Sequence, residues 1–240
     1  MNPLPPLNPK TRHGLPFVYL NIAMTADGKL APANRQFVPF SSRRDQELLL
    51  ALRTRCDAVM AGARTVDSVP VNLGPGGKKY RDQRLKNRLA EYNLRIVVSG
   101  SGSLNPTAEV FKHQLSPLIV LVTGRAGKAR LNQLKKLGAI VKISGDKEID
   151  FHYALRWLRR QWNVMRLLCE GGGEINGSLL RNDLVDEIFV TLCPAVFGGQ
   201  NAPTIADGIG VKHLKDATRL KVKSAQRVGD ELFLVYSVAR

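Results

Sequence analysis

Apolar residues along this chain follow two rhythms. Short runs rich in Val, Ile and Leu read as strands at 17–23, 57–62, 95–100, 118–123, 139–144, 164–169, 185–193, 219–228 and 231–239. Between the earlier ones, apolar positions recur at helical spacing. The segment 41–55 opens on Ser41 and Ser42, which suit an N-cap, and then repeats leucine. Further helices are expected at 78–92, 127–138, 150–162 and 173–183. Strand and helix alternate to about residue 183, and strands dominate afterwards. Alternation implies right-handed crossovers and parallel strands. The last two runs, joined at Gly229-Asp230-Glu231, read as an antiparallel hairpin. The expected fold class is therefore α/β: one mixed, mostly parallel sheet flanked by helices on both faces, with an antiparallel C-terminal edge. The run 228–238 also fits a strand that pairs across a dimer. No repeat is visible, and the longest irregular stretch is 194–218.

A length of 240 residues suffices for one well-cored domain. The proline-rich start reads as a loose arm over 1–16, with a single domain over 17–240 and no apolar signal segment. No apolar run approaches the ~18 residues of a membrane span. Cys56, Cys169 and Cys193 are odd in number and lie in or beside apolar runs, which predicts buried free thiols and a reducing, cytoplasmic setting. His13, His113, His152 and His213 have no paired spacing, so no metal site is expected.

Charge changes the picture more. Thirty-six Lys and Arg stand against 20 Asp and Glu, a net +16. The densest segment is 78–95, where Arg81, Arg84 and Arg88 recur at helical spacing. A nucleic-acid face would produce such a pattern. Aromatic residues do not interleave as a base-stacking platform requires, so a solvated helix face on a protein that handles anionic small molecules is favoured.

Candidate chemistry gathers where strands end. After 164–169 come Glu170, Gly171, Gly172 and Gly173, then a helix. Glycine admits positive φ and close approach to backbone, and unpaired first-turn amides suit a phosphate. The spacing is not the Rossmann fingerprint, because Asn176 stands where that pattern wants glycine. A second corner is Gly62-Ala63-Arg64-Thr65, followed by Asp67 and Pro70. A third runs from Asn21 to Asp27-Gly28, and a fourth is Ser99-Gly100-Ser101-Gly102-Ser103. Corners of one character at the carboxyl ends of several strands predict one shared crevice.

The segments "NIAMTADGKLA" (21–31), "LRTRCDAVMAGARTV" (52–66), "RIVVSGS" (95–101) and "CEGGGEINGSLLRNDLVDEIFVTLCPAVFGG" (169–199) resemble, in order and spacing, the riboflavin-biosynthesis pyrimidine reductases. That family comprises the reductase domain of bifunctional RibD-type enzymes and the stand-alone reductases. The resemblance runs from about 17 to 238. It implies a dihydrofolate-reductase-like fold, NADPH as hydride donor and a homodimer. The implied reaction reduces the ribose of an aminopyrimidine ribosylamine 5′-phosphate to a ribityl chain. It also implies cofactor contacts at Ala23, Thr65, Ser99, Gly100, Ser101 and the turn Gly171, Gly172, Gly173, Glu174, Ile175 and Asn176, with Asn21, Arg53 and Glu170 at the substrate. Asn21 occupies a site that is lysine in the bifunctional bacterial enzymes. The family's Thr-x-x-x-Asp-Asp-Pro loop is one residue shorter here, Thr65 to Pro70.

Asp67 is the first candidate proton donor and Asp27 the second. Arg125, in the loop after another strand, is a candidate clamp for the cofactor's 2′-phosphate, with a plain surface arginine as the alternative. Gly173→Asp is expected to weaken cofactor binding and leave the fold intact. Two alternatives stand: a reductase of the same fold acting on a pterin- or folate-like substrate, and a basic binding protein of that fold without catalysis. The lack of a tryptophan near Asp27-Gly28 argues against dihydrofolate reductase itself.

Overall fold

The computed structural model describes residues 12, 14–36 and 38–239. Residues 1–11 of the proposed N-terminal arm, and His13, lie outside the described residues. Of the remainder, Arg12 bonds Asp186 (3.2 Å) and Leu15 is buried in the core.

The elements run β1 (Phe17–Thr25), α1 (Arg43–Arg53), β2 (Ala58–Gly62), α2 (Ala63–Ser68), α3 (Lys78–Lys86), β3 (Leu94–Val98), α4 (Glu109–Lys112), β4 (Leu118–Val122), α5 (Lys128–Lys136), β5 (Ile140–Ile143), α6 (Phe151–Trp162), β6 (Arg166–Cys169), α7 (Gly173–Arg181), β7 (Glu187–Cys193), β8 (Leu220–Val228) and β9 (Glu231–Val238). They form one nine-stranded sheet in the order β5-β4-β3-β2-β6-β1-β7-β9-β8. The first seven strands along that order are parallel, while β9 pairs antiparallel with both β7 and β8.

Parallel strands covered on both faces need apolar side chains at successive positions, and β4, Leu-Ile-Val-Leu-Val, is buried at all five. Along β1 the alternation sorts the core in two. Val18, Leu20 and Ile22 pack with Leu155 and Leu158 of α6 and Leu179 of α7. Phe17 and Tyr19 pack with Leu48 and Leu52 of α1 on the other face, where the Tyr19 hydroxyl donates to the Leu52 carbonyl (3.1 Å). The three cysteines are free and buried. Burial pushes the thiols of Cys169 and Cys193 up to about 12 and that of Cys56 to about 11. No helix among the described residues is long and apolar enough to cross a membrane.

Two features depart from the sequence pattern. The six-residue α2 shows no periodicity and was expected as a loop; it forms directly on the end of β2. The helix expected over 78–92 stops at Lys86, because Arg84 turns inward. Its side chain is fully buried and donates to the carbonyls of Arg53, Cys56 and Ala90. For Ala90 to be within reach the chain must fold back, which it does through Arg88 at φ 59°. Arg84 is therefore a structural residue, not part of a solvated basic face. Arg81, by contrast, stays near the surface with Glu91 (2.9 Å).

Candidate functional site

Adjacent parallel strands β2 and β6 send their following helices to opposite faces. Val66 of α2 joins the α1 side of the core, whereas Ile175 and Leu179 of α7 join the α6 side. Such a switch point leaves a crevice at the carboxyl ends of the strands. Here the two glycine corners meet: the Gly62 amide donates to the Gly171 carbonyl (2.9 Å). A Cβ at Gly62 would lie 3.1 Å from Ile175 Cδ1 and 3.7 Å from the Gly171 oxygen, so a larger residue would make the Ile175 methyl give way by a few tenths of an ångström. A Cβ on Gly172 would come 3.9 Å from Thr65 Oγ1, which places that hydroxyl across the notch. Arg64 and Glu174 form an exposed ion pair over the top.

Within the turn, Gly171 adopts φ +90°, a conformation that glycine alone takes without strain. Ile175 and Asn176 donate their amides to the Gly172 carbonyl (3.0 and 3.1 Å). Among the described residues, the amides of Gly173 and Glu174 meet no acceptor. They are the donors a helix start offers to an anion. The side chains of Ile175 and Asn176 face the protein: Ile175 is core, and the buried Asn176 Nδ2 donates to Ile205 O (3.0 Å).

Gly173 has a second reason to be glycine that the sequence did not disclose. The 194–213 loop folds back over α7, with the Asp207 amide on Gly173 O (2.9 Å). A Cβ there would overlap Thr204 O and the Asp207 carboxylate. The expectation that Gly173→Asp leaves the fold intact is thus corrected. Even Gly173→Ala forces this loop off α7 and is expected to cost ~1–3 kcal/mol in a denaturant titration.

The substrate-side candidates lie on the α1 face. Tyr19 marks that face, so Asn21, Ala23 and Thr25 share it. Leu20 is in register with Cys169, which sets Asn21 beside Glu170; Ala23 is in register with Thr191 of β7. Glu170 is gripped by Arg53 through two bonds of 2.6 Å, at side-chain exposures of 10% and 6%. Arg53 also donates to Gly74 O. Burial alone would lower the Arg53 pKa, but the Glu170 carboxylate more than offsets this and raises it. The guanidinium is committed to fixing Glu170, and it bonds both carboxylate oxygens.

Sequence reasoning passed over Asp45 and Thr191. Asp45, in the first turn of α1, is 7% exposed, and Thr191 is fully buried. Asp45 lies beside the hydroxyls of Thr191 and Ser41 and near Glu231. Burial raises its pKa, the hydroxyls oppose this, and the Glu231 charge adds to it. Yet Asp45 Oδ1, Thr191 Oγ1 and Asn21 Oδ1 make no hydrogen bond of acceptable geometry among the described residues. The only available sequence signal was Ser42-x-x-Asp45, which reads as a helix cap.

The remaining candidates are placed as follows. Asp27 is exposed. Its carboxylate accepts from Thr25 Oγ1 (2.6 Å) and from the amides of Gly198 (2.7 Å) and Phe197 (3.2 Å). The threonine bond first, and then those amides, hold its pKa below the usual range, so it stays ionised. Asp67 is exposed and accepts the Asn105 amide (3.0 Å), tying α2 to the loop after β3. In that loop Ser99 Oγ donates to Ser103 O (2.9 Å), Gly100 O accepts from Thr123 Oγ1 (2.8 Å), and Ser101 O accepts from Arg130 (3.2 Å). Arg125 is exposed in the loop after β4. No group of metal-ligating side chains occurs among the described residues.

The model of the RibD C-terminal domain family matches residues 16–234. The 2,5-diamino-6-ribosylamino-4(3H)-pyrimidinone 5′-phosphate reductase of Methanothermobacter thermautotrophicus is 32% identical over 223 residues, which are 93% of this chain and 98% of that protein. The solved pyrimidine reductase-like protein of Corynebacterium diphtheriae superposes with a TM-score of 0.77 at 22% identity, covering 94% of this chain and 92% of that one. A diaminohydroxyphosphoribosylaminopyrimidine deaminase/5-amino-6-(5-phosphoribosylamino)uracil reductase of Thermotoga maritima superposes at 0.71 and 20% identity, covering 95% of this chain and 58% of the other. The solved neighbours share the dihydrofolate-reductase-like fold expected from the sequence.

Proposed function

Because the chain belongs to the RibD C-terminal domain family, we propose that it is an NADPH-dependent reductase of riboflavin biosynthesis. Its substrate is an aminopyrimidine ribosylamine 5′-phosphate, whose ribose becomes a ribityl chain. The observation that carries this reading is the glycine-to-glycine contact of the β2 and β6 corners at the switch point. It makes a notch floored by backbone, open to a flat ring and an anionic bridge.

NADPH, when bound, supplies the hydride. The residues present fit it: the unpaired amides of Gly173 and Glu174 take the pyrophosphate, and the Thr65 hydroxyl adds a bond across the notch. In this reading Arg125 takes the 2′-phosphate, and Ser99, Gly100 and Ser101 supply a further cofactor contact. Small Ala23 leaves space above the sheet. On the α1 side, Glu170 and Asn21 orient the substrate, and Arg53 keeps Glu170 in place. Holding reactants in alignment is worth ~7–11 kcal/mol of barrier, so positioning is the protein's main share. The proton for the ring oxygen comes from Asp67 in this scheme. Asp27, ionised and bonded to the 197–198 amides, instead fixes the loops beside the site. A cytoplasmic homodimer belongs to the same reading: β8 is an edge strand with Leu220 and Val222 exposed, which a second copy would cover.

Thr65→Val tests the cofactor site. It is expected to raise the NADPH dissociation constant about tenfold, the effect of one lost hydrogen bond of ~1.4 kcal/mol, with unchanged melting temperature. Fluorescence titration measures it. Oxidation of NADPH with the ribosylaminopyrimidine phosphate then tests the activity, and binding without turnover on that substrate would overturn the assignment.

A further inference from the structure

Arg64 has no evident role in the corner it belongs to, yet the fold gives it a particular place. It is the second residue of α2 and reaches the second residue of α7, its Nη2 lying 2.5 Å from Glu174 Oε2. Beneath that pair the two backbone turns touch through Gly62 and Gly171. The Thr65 hydroxyl stands opposite Gly172. The pair thus spans the mouth of the notch from one wall to the other. A carboxylate in the first turn of a helix complements the helix dipole, and an exposed ion pair adds little to stability. Those two effects account for Glu174 by itself but not for what lies beside it. Its carboxylate sits at the Gly173 and Glu174 amides, the donors that α7 offers to an anion. There it opposes any anionic ligand unless a cation accompanies it, and Arg64 is that cation. With side-chain exposures of 61% and 64%, both groups remain solvated, so parting them disturbs no core.

We propose that Arg64 is the cationic ligand of the dinucleotide's pyrophosphate, and that its pair with Glu174 is a clasp which the pyrophosphate opens. The clasp rests on the cofactor reading above and adds to it a residue and an exchange. In the free protein Glu174 holds the guanidinium over the mouth. An arriving pyrophosphate takes the two amides and offers the guanidinium phosphate oxygens in place of carboxylate ones. Charge decides the exchange. Facing Glu174 alone, the paired phosphates would be repelled within the first turn of α7, where the helix dipole is the sole offset. Facing Arg64 they gain charge-assisted hydrogen bonds from a planar fork that fits two oxygens at once. The released carboxylate turns to the water that already surrounds it. A ligand without the bridge has nothing to exchange for Glu174 and leaves the clasp closed. Arg64 and Glu174 therefore select for a dinucleotide over its separate halves.

The test titrates the full chain with three probes by calorimetry: NADPH, 2′-phospho-ADP-ribose, which keeps the bridge and lacks the nicotinamide, and 2′-AMP, which lacks the bridge. Arg64→Gln is expected to weaken the first two about ten- to a hundredfold, the loss of hydrogen bonds between a charged donor and phosphate. Glu174→Gln is expected to tighten both about two- to fivefold, because the guanidinium no longer has a carboxylate to leave. Affinity for 2′-AMP should stay the same in both variants. Melting temperatures should also hold, since both side chains are exposed. Unchanged NADPH affinity in Arg64→Gln overturns the clasp, as does weaker binding in Glu174→Gln. An equal loss of 2′-AMP in Arg64→Gln would put Arg64 at the 2′-phosphate and overturn it too. None of these readouts depends on turnover. The expected pattern in a protein that does not reduce the ribosylaminopyrimidine phosphate supports the clasp and sinks only the reductase reading, whereas a wild type that binds neither bridged ligand sinks both.

Discussion

Glu170→Ala is expected to melt about 6–20 °C below wild type and to show no measurable reduction of the pyrimidine substrate. Removing the acid leaves the Arg53 guanidinium, 6% exposed at its side chain, charged and without its two 2.6 Å partners. Breaking a buried pair from one side costs ~3–5 kcal/mol, and in a chain of this size each kcal/mol moves the midpoint by about 2–4 °C. Stability and function can then be separated. Arg53→Met combined with Glu170→Leu replaces the pair by apolar groups of similar volume and should recover most of the lost stability. It should not recover activity, because Glu170 is the group that meets the substrate in the proposed site. Calorimetry and an NADPH oxidation assay on the two variants check both parts. A double variant as active as wild type would remove Glu170 from the site, and a single variant of normal stability would show that water reaches Arg53.

Arg84→Met is the second large effect, and it is one of stability alone. The Arg84 side chain is entirely buried and donates to the carbonyls of Arg53, Cys56 and Ala90. Methionine fills the stem's volume but takes the guanidinium away from two buried carbonyls, those of Arg53 and Cys56, and from that of exposed Ala90. Each buried one costs ~1–3 kcal/mol, so a loss of about 2–6 kcal/mol in a urea titration is expected. Arg84→Lys loses less, since an ammonium reaches one or two of the three but cannot reproduce the planar fork. NADPH affinity should stay near the wild-type value in both variants, because the residue lies behind α1 and not in the notch. A drop in stability below ~1 kcal/mol would mean that the carbonyls find other donors.

These two arginines show where sequence patterns stop informing. In the sequence, Arg84 is one basic residue among many at helical spacing, and nothing distinguishes it from Arg81. Only after α3 docks on α1 does Arg84 lie over carbonyls left open by the end of that helix, while Arg81 keeps to the surface with Glu91. Asp45 is the same kind of case, since its sequence context fits a capping box, and the partner that displaces it, Glu231, is 186 positions away. Gly173 was legible as a residue that must be small. The reason, a loop from 204–207 lying across it, was not.

The sequence by itself determined the α/β class, the position of every strand, the parallel body with its antiparallel hairpin, and the corners rich in glycine. These depend on local periodicity and on turn chemistry, which act over a few residues and so are written in a few residues. Tertiary structure alone decided that β6 inserts between β1 and β2, and hence that Gly62 touches Gly171. It decided which charged side chains are buried, Arg84 and Asp45 among them. Such outcomes depend on distances between segments remote in the chain, and burial converts those distances into free energy; no local pattern encodes either.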